Sequence, residues 1–82
     1  MAIYYFHLRN HADLLLDPEG RCLEVAGIPF AALSEARAII AADARTGSVD
    51  LDQNIEVQDA TGDVVHRIAF EDAVKINHRR AG

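Results

Sequence analysis

Residues 3–9, IYYFHLR, place Tyr4, Phe6 and Leu8 on one parity and Ile3, Tyr5, His7 and Arg9 on the other. Side chains alternate between the faces of a strand, so the aromatic and aliphatic set predicts a core-facing side and the rest an outer face. The run "IEVQDATGDVVHRI" repeats this pattern. Ile55 and Val57 are expected inward, Glu56 and Gln58 outward. In the last strand Val64, Ile68 and Phe70 are expected inward and Val65 and Arg67 outward. His66 follows the inward parity unless a bulge beside Gly62 resets the phase. Two Asp-x-x-Gly stretches, "DPEG" at Asp17–Gly20 and "DATG" at Asp59–Gly62, read as turns joining hairpin strands. The Asp carboxylate bonds nearby amides, Pro18 pre-sets φ, and the glycines accept the fourth turn position.

Between the turns lies "FAALSEARAIIAADARTGS", rich in alanine and free of Gly and Pro until its end. Leu33, Ala36, Ile40 and Ala44, with Ala32 and Ile39 beside them, recur at helical spacing, predicting a helix over residues 31–46. Gly47 suits the position that ends it. "FEDAVKIN" predicts a short final helix over residues 70–77. The expected architecture is α+β: an antiparallel sheet of two β-hairpins with one central helix on one face, in ββαββ order. The outer face then carries Tyr5, His7, Arg9, Glu56, Gln58, Val65 and Arg67, with no second helix to cover it. Such a mixed aromatic and charged face suits protein contact, and it equally suits a plain solvated sheet face.

A chain of 82 residues is expected to form one domain with a small core, about residues 2–72, followed by a basic tail or helix end over 73–82. Cys22, the only cysteine, excludes a disulfide within the chain and a zinc site of paired thiolates. It fits a reducing compartment and reads as a small half-buried apolar residue. No apolar run is seen to approach the roughly 20 residues of a membrane span, and no charged segment precedes an apolar stretch at the N-terminus, so a cytoplasmic protein is expected, with no membrane partner. The net charge is −5, and all thirteen acids lie between Asp13 and Asp72. Lys75, His78, Arg79 and Arg80 make a short basic tail. An acidic body with one such tail is a poor binder of nucleic acid.

Several stretches come near to chemistry without reaching it. "DLDQNIE" (Asp50, Asp52, Asn54, Glu56) begins like a calcium loop, but Ile55 and Thr61 stand where glycine and glutamate are required. His7 and His11 have zinc spacing only if helical, and they lie in strand and turn. His66 could approach His7 with a suitable register, yet no third ligand is dictated. Ser34 and Ser48 sit in no strained elbow, Cys22 has no histidine partner, and no phosphate loop or dinucleotide fingerprint is present. No catalytic residue, cofactor or metal site is assigned.

Taken together, Tyr4-Tyr5-Phe6-His7-Leu8-Arg9, the Asp17 to Gly20 turn, Glu35-Ala36-Arg37 in the helix, and Ile55-Glu56-Val57 with Asp59 and Gly62 resemble a bacterial family of short stand-alone proteins, a domain of unknown function. The resemblance runs from Tyr4 to about Phe70. It implies no activity and carries over no catalytic residue. The expected function is a small non-enzymatic protein-interaction module that self-associates as a homo-oligomer, with Tyr5, His7, Arg9, Glu56 and Arg67 as its interaction face. One alternative is a nucleic-acid-linked regulator that stacks bases on Tyr5 beside Arg9 and Arg67. Another is a small-ligand or metal sensor built on His7 and His66.

Overall fold

The computed structural model describes residues 1–77, so the expected tail residues His78, Arg79 and Arg80 lie outside the described residues. Five strands form one antiparallel sheet: β1 (Ala2–Arg9), β2 (Leu14–Leu15), β3 (Arg21–Leu23), β4 (Asn54–Asp59) and β5 (Val64–Ala69). β1 and β4 are central. β4 pairs with β5, while β2 and β3 lie end to end along the other edge of β1. α1 (Ile28–Thr46) follows a 3-10 turn at Val25–Gly27, and α2 (Phe70–Ala73) follows β5. The α+β class and the antiparallel sheet hold, but the ββαββ order is corrected to three strands, a helix, two strands and a short helix.

The correction arises at "DPEG". It makes the expected turn, with the Glu19 and Gly20 amides donating to Asp17 Oδ1. The strands that flank it do not pair with each other, because both pair with β1: Leu15 opposite Leu8, and Arg21 opposite Tyr4. The reversal out of β1 is made earlier, where Asn10 Oδ1 accepts the Ala12 and Asp13 amides. "DATG" is the hairpin turn between β4 and β5 that its sequence predicts, with Gly62 at φ 91°.

The core lies between the sheet and α1. Tyr4, Phe6, Ile55 and Val57 meet Ile28, Ala32 and Ala36, and Phe70 and Ala73 close one end. Alanines at the helix face let its backbone approach the aromatic strand residues closely. α1 starts three residues before the expected boundary, because Pro29 sits in its first turn, where a missing N–H costs nothing. Gly47, at φ 90°, ends it as expected. Ala44, expected on the core face, is exposed in the last turn, beyond the reach of the sheet. Val64 is also exposed: a bulge between β4 and β5 turns Val64 to the outer side, opposite Gln58, and leaves Val65, expected outward, as the extra residue beside His66 in the recess at the start of α1. The bulge lies beyond His66, which keeps the inward parity opposite Val57. α2 stops at Ala73, four residues short of the expected Asn77, as Val74 returns to extended backbone. Cys22 is exposed rather than half-buried, being opposite the exposed Ile3.

One expectation about membranes changes. The stretch Val25–Thr46 is a helix long and apolar enough, by length and composition, to cross a membrane. Eight of its residues are alanine. In the fold Ala32 and Ala36 are fully buried against the sheet, and Arg37 Nε donates to the Ala73 carbonyl at 2.8 Å.

Candidate functional site: the outer sheet face

The register brings the predicted face together. His7 lies directly opposite Glu56, and Glu56 directly opposite Arg67, so three neighbouring strands contribute one row. Arg9, one position along the same face of β1, reaches diagonally across. Its Nε and Nη2 donate to the two Glu56 oxygens at 3.3 Å each, a two-pronged pair. Arg67 Nη2 donates to Glu56 Oε1 at 2.7 Å, and Gln58 Nε2 to Glu56 Oε2 at 3.0 Å. The Glu56 side chain is 3 % exposed, whereas Arg9 and Arg67 are 46 % and 55 % exposed. The Arg67 hydrogen bond, opposed by burial and reinforced by Arg9 and Gln58, holds the Glu56 carboxyl down at about 2. Glu56 is therefore a fixed anion at neutral pH. The cluster carries a net charge of +1, and both guanidiniums keep N–H donors beyond those spent on Glu56.

Tyr5 and His7 stack beside this cluster, with ring centroids 6.2 Å apart and planes at 14°. His7 faces outward as the strand parity predicts, yet it is 7 % exposed rather than a surface residue. Asp17 is the reason. Its backbone N–H donates to His7 Nδ1 at 2.9 Å, and its Oδ2 accepts the Phe6 N–H at 3.1 Å. The "DPEG" turn thus fills the gap between β2 and β3 with one carboxylate and one amide. Burial pushes the Asp17 carboxyl up, but the Phe6, Gly20 and Glu19 amides and the Arg21 charge outweigh it and leave it below its ordinary value. Periodicity gives no sign of this brace; the only sequence signal is an Asx turn placed to return beside β1.

The structure does not bring His7 and His66 together. His7 is on the outer face, and His66 is on the helix side, in a recess with Tyr4, Val25, Ile28, Pro29 and Val65. A ligand shared by the two would have to pass through the sheet. The calcium-like stretch is also divided. Glu56 is committed to arginines, while Asp50 and Asp52 stand beside His11, with Nε2 to carboxylate distances of 3.8 and 4.0 Å. This trio was not anticipated from spacing. All three side chains are exposed, and Asp50 Oδ1 already accepts the Asp52 amide.

The family model of a domain of unknown function, DUF6894, matches residues 3–71. The chain belongs to DUF6894. The match takes in β1 from Ile3, the other four strands, α1 and the start of α2, so both the arginine–glutamate row and the Asp17 brace fall within the DUF6894 domain. No curated protein and no solved structure matches the chain.

Proposed function

We propose that this DUF6894 domain is a non-enzymatic protein-interaction module whose outer sheet face docks a partner through carboxylate groups. The observation that carries this reading is the Arg9–Glu56–Arg67 row on the outer sheet face, with both arginines about half exposed. A buried glutamate orders two half-exposed arginines, so part of the entropy cost of presenting them to a ligand is already met. Their unspent donors match planar carboxylates, and Tyr5 adds an amphipathic ring at the rim. Catalysis has little support here. The one buried carboxylate of the row stays ionised at working pH and is committed to its two arginines. A base-stacking role is disfavoured, because one face of Tyr5 is taken by His7 and the chain as a whole is acidic. We place the protein in the cytoplasm, a reducing setting that suits a single exposed thiol at Cys22.

Titrating a glutamate-rich peptide into the labelled full chain, followed by amide chemical shifts, tests this. Shifts at Tyr5, Arg9, Gln58 and Arg67 that vanish in high salt, and in an Arg9→Ser, Arg67→Ser double variant, are expected. No shift on this face overturns the reading. Larger shifts with a single-stranded oligonucleotide would transfer the face to nucleic acid.

A further inference from the structure

The two edges of the sheet are unlike. One is guarded: β2 and β3 have two and three residues, and the "DPEG" turn plugs the gap between them. The other is β5, six residues long, with no described strand beyond it. The phase of the ladder follows from the Phe70 N–H, which donates to the Gln53 carbonyl at 2.9 Å. Alternate residues then bond to β4, so Ile68 and His66 face β4 and the backbone groups of Arg67 and Ala69 turn outward. β5 carries no lysine, proline or acid, which are the usual guards of an open edge. Its bulge, at Val65, leaves His66–Ala69 regular.

The surroundings of this edge are apolar. Val65 is 44 % exposed and Val25 72 %. Both line the recess of about 190 Å3 beside the start of α1, with Tyr4, Ile28, Pro29 and His66. None of these six residues is acidic, on a chain of net charge −5. Two copies of such a chain repel over most of their surfaces and meet at least cost where acids are absent.

We propose that two copies of this chain pair through β5, antiparallel about a two-fold axis, extending both sheets into one. An antiparallel edge is complementary to itself, so a single operation satisfies the outward backbone groups of both copies. A two-fold axis normal to the sheet keeps both α1 helices on the same side and sets the two Val25–Val65 recesses against the seam. This inference is independent of the carboxylate-docking face, because β5 pairs through its backbone edge and leaves the Arg9–Glu56–Arg67 row outward.

Sedimentation velocity of the full chain at micromolar and near-millimolar concentration tests the proposal. The expected result is a dimer whose dissociation constant rises by roughly a hundredfold or more in Val65→Lys and in Ala69→Pro. Ala69 already has φ −77° and extended ψ, which proline adopts without strain. The Arg9→Ser, Arg67→Ser variant should stay dimeric. A monomer at both concentrations, or a dimer that persists in both edge variants, overturns the proposal. Should either variant unfold, hydrogen exchange on the wild-type chain decides the matter. Protection of the Arg67 and Ala69 amides that rises with protein concentration supports the edge, and protection independent of concentration refutes it.

Discussion

Replacing Glu56 with glutamine removes one charge and almost no volume, so it isolates the electrostatic role of the row. The carboxyl moves from an ordinary 4.5 to about 2 on folding. Taken whole, a displacement of that size corresponds to roughly 3 kcal/mol. Both arginines are about half exposed, and water screens them and offers them somewhere to go once the anion is lost. A cost of about 1–2 kcal/mol at neutral pH is therefore expected, well below that of breaking a fully buried pair. In a domain this small the melting temperature should fall by roughly 5–15 °C. The sign with pH is fixed. The folded carboxyl titrates below the unfolded one, so its stabilisation is complete above 4.5 and is lost as pH falls towards 2. Glutamine has no such dependence. Urea unfolding of both proteins from pH 7 down to pH 3 should show a gap that narrows steadily below pH 4.5. A gap of constant size would mean that packing, not charge, is at work. No gap at pH 7 would mean that the arginines hold their places without the anion.

The brace and the glycines give further predictions. Asp17→Ala leaves the Phe6 amide without its partner inside the edge of the sheet and should cost about 1–3 kcal/mol in chemical denaturation, with faster amide exchange at Phe6 and His7. Because the Asp17 carboxyl lies below its ordinary 3.8, this stabilisation is present above that value and fades as pH falls through the folded pKa. Gly20→Ala should destabilise more than Gly47→Ala in thermal melts, although both glycines have positive φ. A Cβ at Gly20 would meet Ile3 Cγ2 at 2.7 Å and the Tyr4 carbonyl at 3.1 Å, whereas at Gly47 nothing lies within 4 Å. The second should cost only about 1 kcal/mol, and equal losses would refute the crowding at Gly20.

Alternation alone places Tyr5, His7, Arg9, Glu56 and Arg67 on the outer face, because each belongs to a strand whose other parity is apolar. Alternation could not say which of them would be buried. Glu56 loses solvent to arginines from two other strands, a matter of register between residues far apart in sequence. His7 loses it to the main chain of Asp17, a bond that no pattern of side-chain types encodes. The misread first hairpin has the same origin. "DPEG" is a sound turn signal, but a turn signal does not say whether the flanking strands pair with each other or with a third. Parity misplaces Val64 and Val65 because one bulged residue reverses it, and composition misplaces the start of α1 because Pro29 suits a first turn as well as it suits a preceding loop.

The place of β1 in the sheet bears on how the chain folds. β1 is made first, yet its long partner is β4: Arg9 pairs with Asn54 and Tyr4 with Asp59. Until β4 has been synthesised, the aromatic strand has only two short neighbours and one side of α1 to cover it. Closing so long a loop late makes folding slower than the helix content alone would suggest. It also leaves an apolar, strand-forming segment open during synthesis, when off-pathway pairing is most costly. A chain stopped after α1 would keep every residue of the first three strands and the helix, and still lack the one long strand that pairs with β1.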